Sequence, residues 1–294
     1  MDIYEKFVID KGFTVCPYDK HHAIGIGDIL FNILAVQEGI HPKLYALNLS
    51  VFNSDLFSNP MNALEMRIAL LTDILEHHTT LTHSVLQITK GPEWNKPGQE
   101  PIHYSVYNTL HLDMKPTFWN DIIPKVDISG EYLIFHTKLR LERNSSYSVV
   151  RQEVALFCSH FKTDYKIIIL GERTFPTTYE GDYHNIQTLY TELLLLKNNN
   201  DIIDLSVEEI YNNLDYTEYK KDLLLIKNAK CNICIGCGGQ LCSSLMFGKT
   251  AYSTVIHSPP FKNEALEGDG HRCFPKLLDL FVHISDTYAN VEAC

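Results

Sequence analysis

The amino-acid sequence predicts an α/β protein built as two successive parallel-sheet halves, and three observations predict it. At 294 residues the chain exceeds one ordinary core and suits two domains of about 150 residues. Its composition, 45% hydrophobic and 21% charged, is that of a globular enzyme and not of a disordered or fibrous chain. Short β-branched runs alternate with helix-period patterns, the rhythm of successive βαβ units.

The second half carries the clearer pattern. Strands are expected at Tyr132–His136, Lys166–Leu170, Asp201–Leu205, Cys231–Ile235 and Ala251–Ile256. Val150, Val154, Phe157, Cys158 and Phe161 recur on one face of a helix, and a second helix is expected over Ile186–Leu196. Ser206-Val207-Glu208-Glu209 reads as a capping box at another helix start. The apolar positions of Phe274–Tyr288 predict a closing helix that crosses back to the first half. In that first half, Phe13–Cys16, Lys43–Leu47, Ser84–Thr89 and Ile102–Tyr107 read as strands. Asp28–Gln37 and the stripe Leu64, Ile68, Leu71 and Leu75 read as helices. Pro116, Pro124 and Gly130 interrupt any regular element, which puts the boundary between a domain of residues 1–125 and one of residues 126–294.

Charge and hydropathy exclude several classes. A formal net charge of −11 and the lack of a basic run argue against a nucleic-acid partner. The start, Met1 to Lys11, lacks the apolar core of a signal peptide, and no stretch approaches the roughly eighteen apolar residues that cross a bilayer. The expectation is a cytoplasmic protein whose eight cysteines stay reduced. His77-His78 with His83, and His103 with His111, lack regular metal spacing and read as ordinary surface or core histidines.

Four constellations could carry chemistry. Gly25-Ile26-Gly27-Asp28 opens the first expected helix; glycines leave amides open there, and Asp28 is placed either to cap the helix or to act as a general base. His136-Thr137-Lys138-Leu139-Arg140 with Arg143 follows a strand, where cations can neutralise a diphosphate or simply form a solvated turn. Glu172 and Arg173 end another strand, suited to a ribose diol and a phosphate. Gly236-Cys237-Gly238-Gly239-Gln240-Leu241-Cys242-Ser243 joins a strand to a helix, with amides of Gly239 to Ser243 free to cradle a diphosphate or to form a tight turn. Cys231, Cys234 and Cys237 have two-residue gaps, but the first two fall on a strand and alternate faces, so no metal is expected.

These residues resemble the bacterial heptosyltransferases of the ADP-heptose:lipopolysaccharide type and their GT-B relatives. Gly27-Asp28 matches the family's Gly-Asp step, and Ile169-Leu170-Gly171-Glu172 its strand ending in a Gly turn. Asp204-Leu205-Ser206 matches an Asp-Leu-Ser segment, and Gly239 with Gly248-Lys249-Thr250 keeps the spacing of the last glycines. Cys237-Gly238-Gly239 and Cys242 stand where the family has Asp-Thr-Gly and a later His. His136-Thr137-Lys138-Leu139-Arg140 is also similar to the basic loop of fucosyltransferase-like proteins, so the reaction class is implied and the sugar is not.

The resemblance implies a GT-B architecture, two Rossmann-like domains facing a cleft, and a metal-independent glycosyltransferase with no cofactor. Its partners would be a nucleotide-sugar and a glycan or other hydroxyl acceptor. His136, Lys138, Arg140, Arg143, Glu172, Arg173, Gly238, Gly239, Gln240 and Ser243 would hold the donor. Gly25 and Gly27 would lie on the acceptor side, with Asp28 as base. A sugar-nucleotide epimerase on the same fold, or a non-catalytic nucleotide-sugar-binding scaffold, are the alternatives.

Overall fold

A computed structural model of the chain describes residues 2–16, 44–53, 59–77, 86–90, 129–136, 147–170, 191–204, 216–235, 244, 247–254 and 270–290. The first half opens on α1 (Ile3–Asp10), capped by Asp2, whose carboxylate accepts from the Tyr4 amide. Gly12, at φ 86°, turns the chain out of α1 through a left-handed conformation that a side chain disfavours. β1 (Val15–Cys16), β2 (Leu44–Asn48) and β3 (Leu86–Thr89) form a parallel sheet in the order β1-β3-β2. Between β2 and β3, α2 (Pro60–His77) starts with proline at its first position and with Asn59 accepting from the Asn62 amide. Its buried Leu64, Ile68 and Leu71 are the stripe that the sequence predicts.

The second half is a six-stranded, wholly parallel sheet. Its strands are β4 (Tyr132–His136), β5 (Lys166–Leu170), β6 (Ile202–Asp204), β7 (Cys231–Ile235), β8 (Ala251–Thr254) and β9 (His271–Phe274). Their order is β6-β5-β4-β7-β8-β9. The chain lays three strands outward in one direction, returns to the centre, and lays three more in the other. That is the order of doubly wound, Rossmann-like sheets, with the direction reversing between β4 and β7.

Helices cover both faces. α3 (Tyr147–His160), the turns over residues 191–198 and α5 (Leu277–Tyr288) pack on Leu133, Phe135, Ile167, Ile169, Cys231, Ile233 and Ile235. α4 (Tyr216–Asn228) packs on Tyr132, Ile134, Ile168 and Leu170. Near-continuous burial along β4, β5 and β7 follows from this double cover, and it explains why these strands read as mainly apolar runs, broken inside β7 by Asn232.

Two sequence expectations change. Phe274, expected as the first residue of the last helix, instead ends edge strand β9 (His271–Phe274), and that helix begins three residues later. That helix, expected to cross back to the first half, commits its apolar stripe (Leu277, Leu280, Phe281 and Ile284) to the second half's own core. Phe281 stacks on Phe157 of α3 with centroids 4.1 Å apart and planes within 8°. The expected helix at Asp28–Gln37, the strand at Ile102–Tyr107, the capping box at Ser206 and the boundary near residue 125 lie outside the described residues.

Candidate functional site

In an open α/β sheet, ligands bind beyond the carboxyl ends of the strands where the winding reverses. Here that point is the gap between β4 and β7. His136, the last residue of β4, pairs in register with Cys234 of β7 on one side and Leu170 of β5 on the other. Cys234 pairs in turn with Ser253 of β8, and Ser253 with Cys273 of β9. One row thus crosses the sheet near its carboxyl edge: Leu170, His136, Cys234, Ser253, Cys273.

Strand alternation puts this row on the α4 side, because the alternate residues Phe135, Ile169, Ile233 and Phe274 belong to the opposite core. The chemistry of that face changes at the reversal point. On β5 and β4 it is aliphatic and aromatic under Leu225, Ile226 and Ala229. On β7 to β9 it carries Asn232, Cys234, Ser253, His271 and Cys273, all buried. Such groups need partners inside a fold. The Asn232 amide donates to the Ile226 carbonyl at 3.3 Å, and Ser253 Oγ lies 2.8 Å from His271 Nε2. On the other face, Thr254 Oγ1 donates to the Phe274 carbonyl at 2.9 Å.

The segment after β7 is fixed at its far end. Ser244 has helical backbone, and the Lys249 amide donates to its carbonyl at 3.0 Å across Gly248, which sits at φ 61°. This is a Schellman-type helix stop with glycine in the left-handed position. Gly248-Lys249 therefore has a purely structural reason for its place.

Of the expected donor-site residues, His136 is described: it is 4% exposed, at the carboxyl end of the central strand β4. Lys138, Arg140, Arg143, Glu172, Arg173, Gly238, Gly239, Gln240 and Ser243 lie outside the described residues, as do Gly25, Gly27 and Asp28. The strands that lead into these segments are placed. The basic segment leaves β4 and the Gly-rich segment leaves β7, so both start from adjacent strands at the reversal point, and Glu172 follows β5 next door. Sequence reading missed Ser253 and His271, which are eighteen residues apart in the chain and meet only through β8–β9 pairing. No spacing rule in one sequence signals such a pair.

Cys231 and Cys234 point to opposite faces, Cys231 into the α3–α5 core. Burial pushes the Cys231 thiol up to about 12. Among the described residues no group of three His, Cys, Asp or Glu side chains is placed to hold a metal ion, and no helix is long and apolar enough to cross a membrane. A groove of 370 Å³ opens between α3 and α5, lined by Leu156, Phe157, His160, Leu278, Phe281 and Val282 among others. It lies beside the last turn of α3, toward the amino ends of the strands and away from the reversal point.

Comparison of the chain with protein-family models, curated proteins and solved structures returns no match.

Proposed function

We propose that the chain is a metal-independent glycosyltransferase of GT-B type that seats the nucleotide diphosphate of its donor beyond the carboxyl ends of β4 and β7. One observation carries this reading: the basic segment 136–143 and the Gly-rich segment 236–243 leave neighbouring strands where the winding of the sheet reverses. Open amides and cations would then converge on one diphosphate, and stabilising that leaving group is the largest electrostatic task in glycosyl transfer. The sequence that follows β4, His136-Thr137-Lys138-Leu139-Arg140-Leu141, has no glycine, whereas a dinucleotide fold has its Gly-rich fingerprint there. This favours a donor held by side-chain cations over a bound dinucleotide.

Asp28 from the first half would take the acceptor's proton, and closure of two Rossmann-like halves would exclude water from the donor. A panel of nucleotide-sugars screened by thermal shift identifies the donor, since a ligand at 100 times its Kd stabilises by about 2.7 kcal/mol. With that donor, Asp28→Asn should leave binding intact and lower transfer by about 10² to 10⁴-fold. Full transfer in Asp28→Asn removes Asp28 from the mechanism. Donor binding without transfer or hydrolysis to any acceptor supports the scaffold reading instead.

A further inference from the structure

The C-terminal helix meets the edge of the sheet through one imidazole. His283 on α5 lies 4.8 Å from the ring of Tyr252 on β8, inclined at 69°, and 5.1 Å from the ring of Phe274 on β9. Its Nε2 is buried, with no hydrogen-bond partner among the described residues. Arg272 holds its guanidinium 4.8 Å from the centre of the same Phe274 ring. The imidazolium carries a proton on both ring nitrogens, so its Nε2 proton would lack an acceptor among the described residues, and its charge would bring a second cation to a ring that already carries one.

Among the described residues the neighbouring polar and charged groups are few. β9 supplies Arg272, β8 supplies the Tyr252 hydroxyl, and α5 itself supplies Asp286 and Tyr288. From α3, His160 faces Ser285 and Asp286 across the groove. Burial first, and Arg272 second, hold the His283 imidazole below its ordinary value, and Asp286 opposes them.

We propose that His283 is a proton-operated latch: neutral, it fastens α5 and β9 to the six-stranded sheet, and protonated, it releases them from β8. Among the described residues β9 is the edge strand of the sheet and pairs with β8. The released state takes up the proton more readily than the closed one. Closure is therefore at full strength above the ordinary histidine value of about 6.5 and weakens as pH falls below it, by up to about tenfold in the opening equilibrium per pH unit.

Hydrogen exchange on the intact chain tests the latch. Between pH 7.5 and 5.5, protection factors over residues 271–288, corrected for the intrinsic rate, should fall by up to about tenfold per unit below pH 6.5, while the amides of β4 and β5 hold. His283→Phe keeps a ring in place but cannot titrate, so its protection should stay flat; His283→Gln, neutral throughout, guards against a packing defect from the phenyl ring. The same acid loss in both variants overturns the proposal. So does a His283 that titrates by NMR at or above about 6.5, or a loss spread equally over β4 and β5.

Discussion

Tyr132 at the start of β4 is buried, yet its hydroxyl finds a partner, donating to the Leu225 carbonyl at 2.8 Å. Burial pushes its phenol up to about 12, and likewise the thiols of Cys158 and Cys231 from an ordinary value near 9. All three are neutral acids that the unfolded chain ionises first. Their contribution is whole at neutral pH and is lost as pH rises above about 9, at up to about 1.4 kcal/mol per unit for each thiol. The urea midpoint should therefore fall between pH 9 and 10.5, and Cys158→Val should make that fall shallower. A midpoint that holds to pH 10.5 contradicts the burial of these groups. His136 shows how far a residue can be read in advance: a polar side chain after a run of four buried residues marks the carboxyl end of a strand. Ser253 and His271, buried to the same degree, carry no such signature, because a hydrogen bond across strands has no fixed spacing in the chain.

At the level of elements, legibility follows burial. β4, β5 and β7 are legible to the residue, because a strand covered on both faces is predominantly apolar, with Asn232 of β7 as an interior exception. β9 was missed for the converse reason: His271-Arg272-Cys273-Phe274 is an edge strand with one exposed arginine, and it mimics the charged approach to a helix. The helix after it is legible in the sequence, but its packing partner is not. A stripe of Leu277, Leu280, Phe281 and Ile284 shows that α5 must be covered, not by what. Its placement on α3 makes a sharp contrast between neighbours. Phe281→Ala, which removes the ring stacked on Phe157, should cost about 3–5 kcal/mol in chemical denaturation. Val282→Ala, 52% exposed on the same helix, should stay within about 0.5 kcal/mol. Similar costs at both positions would mean that α5 packs differently.

For the whole molecule, alternation of strands and helices was enough to give the class and a parallel sheet. The order of the strands was not available from it. Order depends on which edges meet after the chain has doubled back, and nothing local in β7 says that it joins β4 and not β6. The reversal point, and with it the departure of the basic and Gly-rich segments from neighbouring strands, appears only once that order is known. If the donor sits there, a nucleoside diphosphate should slow amide exchange at the carboxyl ends of β4 and β7 and leave the first half unchanged. Because the phosphate contacts are assigned to amides and cations, this protection should persist in EDTA. Protection that requires magnesium would refute the metal-independent reading.

The same strand order has a consequence for synthesis on the ribosome. β4 pairs on one side with β5, about thirty residues later, but its other edge waits for β7, about a hundred residues later. At 5–20 residues per second, that edge stays open for about 5 to 20 s after β4 emerges. During that interval the nascent chain presents Leu133, Ile134 and Phe135, a sticky and unpaired strand, to whatever else is nearby. The central β4–β7 pair thus closes long after the first pair, β4–β5, and its waiting half is an aggregation hazard while the intervening chain is being made.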